Sequence, residues 1–208
     1  MMQMLLAASR RVDALNLLVG RSVRWLILAA VLISAGNAIV RKIFQASSNA
    51  LLEIQWYLFS AVFLLCAAHA LLRNAHVRID FVSVRLSPRA RSWIDIVGIV
   101  FFAVPFCWLL VQLSLPLVLD AFHTDETSAN AGGLLRWPVY ALVPLGMALL
   151  LLQCFSQLVK HAAFLQGVLP SAALHLEAKG DPQQQPGQPL DDASAARGPD
   201  RTAERTWN

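Results

Sequence analysis

Four long apolar runs alternate with polar segments along the chain, at residues 25–40, 54–72, 96–119 and 137–159, and none contains Asp, Glu, Lys or Arg. Each approaches the ~20 residues that a helix needs to cross ~30 Å of hydrocarbon. No water is available there to satisfy peptide groups, so runs of this length must be helices. With flanking turns added, the pattern predicts four spans at about residues 22–44, 51–72, 92–119 and 136–160. The first run is the shortest, and Arg24, Arg41 and Lys42 can snorkel to the headgroups from its ends.

Local signals mark the boundaries. Trp25, Trp56, Trp93 and Trp137 each stand at or near the start of a span, where an indole buries its ring and keeps its N–H wet. Ser87-Pro88 reads as an N-cap followed by proline at the first helical position. A helix from there to Leu119 would be about 48 Å long, more than the membrane, so its first turns lie in the headgroups or it bends, with Pro105 the natural site. Gly132-Gly133 turns the loop before the fourth span, which Pro138 opens.

The ends of the chain differ from the middle and from each other. Residues 1–20 mix Arg10, Arg11 and Asp13 with Leu5, Leu6, Val12, Leu15, Leu17, Leu18 and Val19, which suits an interfacial amphipathic helix better than a cleaved signal peptide. The membrane domain then covers residues 21–170. Residues 171–208 are rich in Pro, Gln, Ala and Asp and nearly devoid of large apolar side chains, the composition of a disordered tail.

Composition agrees with the pattern. Hydrophobic residues make up 57% of the 208 and charged residues only 14%, against about 25% charged in soluble domains. The net charge of +4 would suit nucleic acid if the basic residues formed one patch, but they fall between the apolar runs, so phospholipid is the expected surroundings and no nucleic acid is expected. Their distribution predicts orientation: nine arginines lie in the N-terminal segment and the loop after span two, against Arg41, Lys42 and Arg136 in the other two loops. Both termini are therefore expected in the cytoplasm. The expected fold class is all-α integral membrane, four transmembrane helices, N-in and C-in, with an amphipathic interfacial segment between spans two and three and a disordered C-terminal tail, in the bacterial inner membrane.

Candidate chemistry is sparse. Cys66, Cys107 and Cys154 lie in separate apolar runs without metal or disulfide spacing and read as small packing residues. No ionisable group sits near the middle of a span, where a protein that moves ions or charged substrates places them. Glu53 and Asp95 fall in the first turns of their helices, with Gln55 and Trp56 beside Glu53 as further points of attachment for a partner. Ala30, Ser34 and Ala38 recur every fourth residue, with Asn37 adjacent, giving a face where another helix can come close. Gln153 and Gln157 offer something similar late in the fourth span. These read as packing surfaces, not reaction centres, so no catalytic residue, cofactor or metal is expected. The alternative is a four-helix membrane cytochrome or haem-bearing anchor subunit, with His69 and His161 as ligands.

The segment Arg73-Asn74-Ala75-His76-Val77-Arg78-Ile79-Asp80, together with Leu51-Leu52-Glu53-Ile54-Gln55-Trp56, Asn130-Ala131-Gly132-Gly133-Leu134, Trp137-Pro138 and Pro144-Leu145-Gly146, resembles the small membrane subunit (Q-type, DctQ-like) of tripartite ATP-independent periplasmic (TRAP) transporters. The resemblance covers roughly residues 20–170. It implies a non-enzymatic scaffold that works with a large TRAP membrane subunit and, transiently, a periplasmic substrate-binding protein in sodium-coupled uptake of a small organic acid anion. It also implies that Glu53 and Gln55 help position a partner. His76, Arg78 and Asp80, with Arg85 following, would anchor a segment lying on the inner leaflet.

Overall fold

The computed structural model describes residues 2–44, 49–73, 87–130 and 132–168, all within the compact unit Met1–Ala178. The His76, Arg78, Asp80 and Arg85 anchor segment and the tail 171–208 lie outside the described residues.

Among the described residues four helices form: α1 (Met2–Phe44), α2 (Asn49–Leu72), α3 (Pro88–His123) and α4 (Trp137–Leu165). All four are long and apolar enough to cross a membrane. Only 11 to 28% of each most apolar window is buried within the protein, so most of that surface must be covered by lipid or by another protein. The only strand-like pairing among the described residues is one antiparallel bridge, Thr127 to Leu135.

The first helix runs unbroken from residue 2 to residue 44. Its buried side chains explain why. Ser9, Asp13, Asn16 and Val23, with Gly20 between the last two, repeat at alternating spacings of four and three, so they line one face of a continuous helix. That face turns Ser9, Asp13 and Asn16 toward the other helices.

α3 also follows its local chemistry. The Ser87 hydroxyl accepts from the Ala90 N–H at 3.3 Å and Pro88 occupies the first turn, as the sequence predicts. Further along, Ile99–Ala103 widens into a π-helical turn in which the Val104 N–H reaches the Ile99 carbonyl. The irregularity thus falls just before Pro105, which can donate no backbone hydrogen bond of its own.

α4 is the centre of the bundle, packing against α1, α2 and α3, while α1 and α2 pair with each other and α3 rests chiefly on α4. The α2–α4 contact is close because of one residue. A Cβ at Gly146 would stand 2.8 Å from the Leu64 carbonyl oxygen, so only glycine admits the helix at this distance. Likewise, the ring of His69 occupies the place a side chain on Gly20 would fill.

Candidate functional site

Two groups of polar side chains stand at opposite ends of the bundle, each organised around a buried carboxylate. At the end carrying the α3–α4 hairpin, the connection of residues 124–136 folds back on itself. The Ser128 N–H donates to the Leu134 carbonyl and the Arg136 N–H to the Glu126 carbonyl, both at 2.9 Å. Arg136 and Glu126 add an ion pair at 2.8 Å across the same two arms of the loop. The rings of Phe122 and Trp137 meet edge to face at the base, centroids 5.5 Å apart.

Glu53, on the first turns of α2, holds this hairpin. Its carboxylate accepts hydrogen bonds from the Ser128 hydroxyl, from the Asn130 side-chain amide at 2.8 Å and from the Leu134 backbone N–H at 2.7 Å. One turn on, the Tyr57 hydroxyl donates to the Leu135 carbonyl at 2.9 Å. Neutral donors from three loop positions converge on one anionic acceptor, which makes charge-assisted bonds and fixes the loop's shape.

At the other end the polar face of α1 meets α4. Asp13 accepts from the Ser156 hydroxyl at 2.7 Å and the Gln153 amide at 3.0 Å, and pairs with the Lys160 ammonium at 2.5 Å. The Asn16 amide donates to the Gln153 carbonyl oxygen at 2.7 Å, and the hydroxyls of Ser9 and Ser156 share a hydrogen bond of the same length. Beside this layer His161 approaches Asp95 of α3, with Nε2 to Oδ2 at 3.8 Å. Three helices are therefore joined at this end by polar side chains.

The residues singled out in the sequence are distributed as follows. Glu53 is buried and turned to its own loop, Gln55 is half-buried, and Trp56 is 69% exposed. Ala30 and Ser34 are half-buried, Asn37 is buried and Ala38 is exposed, so the inward face of α1 passes through Asn37. Gln153 and Gln157 are buried. Cys107 and Cys154 are buried and Cys66 partly so, all free thiols. His69 and His161 face different helices, the first against Gly20 of α1 and the second toward Asp95 of α3. Among the described residues no group of three or more His, Cys, Asp or Glu could hold a metal ion.

Sequence reading passed over Ser9, Asp13 and Asn16 as a set, and Ser128, Asn130 and Leu134 as the partners of Glu53. The first set carried a usable signal, the four-three spacing of small and polar residues continuing into an apolar span. The second carried none, since 75 to 81 positions separate Glu53 from the groups it binds.

These features define an α-helical multi-pass membrane protein whose buried polar groups brace its own ends. Residues 30–164 match the family model described as "Tripartite ATP-independent periplasmic transporters, DctQ component". The chain belongs to that family, which is a membrane component of tripartite transport systems made up of it, a large membrane subunit and a periplasmic binding protein. No curated protein and no solved structure matches it.

Proposed function

We propose that this chain is the scaffold subunit of a TRAP transporter for sodium-coupled uptake of a small organic acid anion. It braces the large membrane subunit and carries no substrate site or reaction of its own. It lies in the bacterial inner membrane with both termini cytoplasmic, in keeping with the arginine-rich N-terminal segment and second loop. The observation that carries this reading is the use made of its two buried carboxylates. Glu53 is committed to the 124–136 hairpin and Asp13 to α4. A transport site needs polar groups that can exchange partners with a substrate or ion; these hold the protein's own parts together.

In this reading Glu53 positions the outer hairpin as a preformed surface for the partners, with Gln55 and the exposed Trp56 flanking it. Ala38 adds a small outward residue on α1. Ala30, Ser34 and Asn37 keep α1 on its neighbours, which gives the large subunit a fixed body to push against. The segment bearing His76, Arg78, Asp80 and Arg85 anchors the inner surface through headgroup contacts.

Reconstitution tests the reading. The purified chain in liposomes should show no sodium-dependent uptake of a dicarboxylate, whereas liposomes that also contain the large subunit, supplied with the binding protein, should accumulate it. Uptake by this chain unaccompanied would overturn the proposal.

A further inference from the structure

The four apolar runs contain ten polar side chains from Ser, Asn, Gln and His. Nine are buried or half-buried, and Gln112, on α3, is the exception: it is exposed and bonds to no other described residue. Its depth makes this costly. Gln112 lies sixteen residues after Ile96 and seven before Leu119, about 24 Å and 10 Å from the ends of the run at 1.5 Å per residue. That is hydrocarbon, where acyl chains offer an amide nothing to bond.

The backbone compounds the deficit at the same residue. Pro116 stands four positions on, inside the helix, so the Gln112 carbonyl lacks the N–H that would ordinarily close its turn. By contrast, Ser114 turns inward and donates to the Val111 carbonyl at 3.2 Å. Trp108, Gln112, Pro116, Leu119 and His123 are all exposed and fall within about 80° of one another around the helix axis. Toward the hairpin this face continues into a shallow depression lined by Pro116, Leu117, Leu119, Asp120 and His123.

We propose that the Trp108–Gln112–Pro116 face of α3 is a docking surface for the large TRAP membrane subunit, one of whose helices crosses at Gln112 and bonds its amide and free carbonyl. The inference rests on the scaffold reading above. Three observations select this occupant. Lipid cannot supply the hydrogen bonds. α3 is packed chiefly against α4 and so leaves a flank open within the membrane. The family to which the chain belongs is a component of an assembly whose other membrane member is the large subunit. A second copy of this chain would have to set Gln112 against itself, an arrangement the test distinguishes.

The experiment uses the full chain co-expressed with its cognate large subunit. A photo-reactive phenylalanine derivative replaces Gln112 or, as a control on exposed α4, Leu152. The expected result is co-purification in both cases and, after irradiation, a covalent adduct with the large subunit from position 112 only. Co-purification with no adduct at 112, or with equal adducts at both positions, overturns the docking face and leaves the scaffold reading standing. An adduct of two small chains from 112 overturns it in favour of self-association. Failure of the unsubstituted chain to co-purify with the large subunit overturns both proposals. Separately, Gln112→Leu should insert normally and lower the yield of complex about threefold, the scale of one interhelical hydrogen bond in a membrane. An unchanged yield counts against the docking face.

Discussion

The hairpin end and the terminal end of the bundle solve the same problem, a buried carboxylate, with different chemistry. Glu53 is surrounded by neutral donors, two side chains and one backbone N–H, all from a single loop. Asp13 is met by a cation and two neutral donors, all on α4. The first arrangement shapes a surface; the second joins the first helix of the chain to the last. Removing the carboxylate should therefore loosen a loop in one case and, in the other, take away the buried acceptor that Lys160, Gln153 and Ser156 share between α1 and α4, which is the more damaging outcome.

The largest effect is expected at Asp13. Asp13→Ala removes the buried carboxylate from its pair with Lys160 and its bonds from Gln153 and Ser156, and breaking such a pair from one side costs about 3 kcal/mol, so thermal unfolding in detergent should shift sharply downward. Asp13→Leu combined with Lys160→Met should recover much of the loss, because the pair's removal leaves no isolated charge. If the double variant is no better than the single, the charge is not what makes this end vulnerable.

Next is the packing between the ends. Gly146→Val places side-chain atoms where the Leu64 carbonyl stands, and the forced separation of α2 and α4 should cost on the order of 1–3 kcal/mol. A Leu64→Ala background should not relieve it, since the obstructing atom is backbone. Relief would show that the helices are held apart by side chains alone.

A smaller and more local change is expected at the hairpin. Glu53→Ala should leave the melting of the bundle nearly unchanged and speed hydrogen exchange at the Leu134 amide, on the order of tenfold for loss of a bond to a charged acceptor. Glu53→Gln should be milder, since a carbonyl oxygen still accepts. Global destabilisation by either would erase the contrast between the two ends. Smallest of all, Arg136→Ala should alter little, because its pair with Glu126 is more than a third exposed. Intact exchange protection at Leu134 in that variant would show that Glu53, and not the exposed pair, sets the loop.

Much of the architecture was legible in the chain itself. The charge-free runs place the four helices, Ser87-Pro88 starts α3, and Trp137-Pro138 starts α4, because these features depend on a residue and its near neighbours. Pro105 announced an irregularity in α3, although the π turn falls in the residues just before it. Glu53 was legible as a residue of interest but not as a clamp. The same limit applied to Asp13 and Asn16, whose partners Gln153, Ser156 and Lys160 lie on the last helix, far along the chain.

The sequence by itself determined that this chain forms four apolar helices, since the length and composition of each run set the free energy of placing it in lipid. Only the tertiary structure decided which polar groups those helices keep for one another and which they present outward. That choice depends on how each helix is rotated and offset against its neighbours, a relation between residues as far apart as Ser9 and Ser156. Rotation about a helix axis turned Gln153 inward and Gln112 outward, although both amides stand in comparably apolar runs.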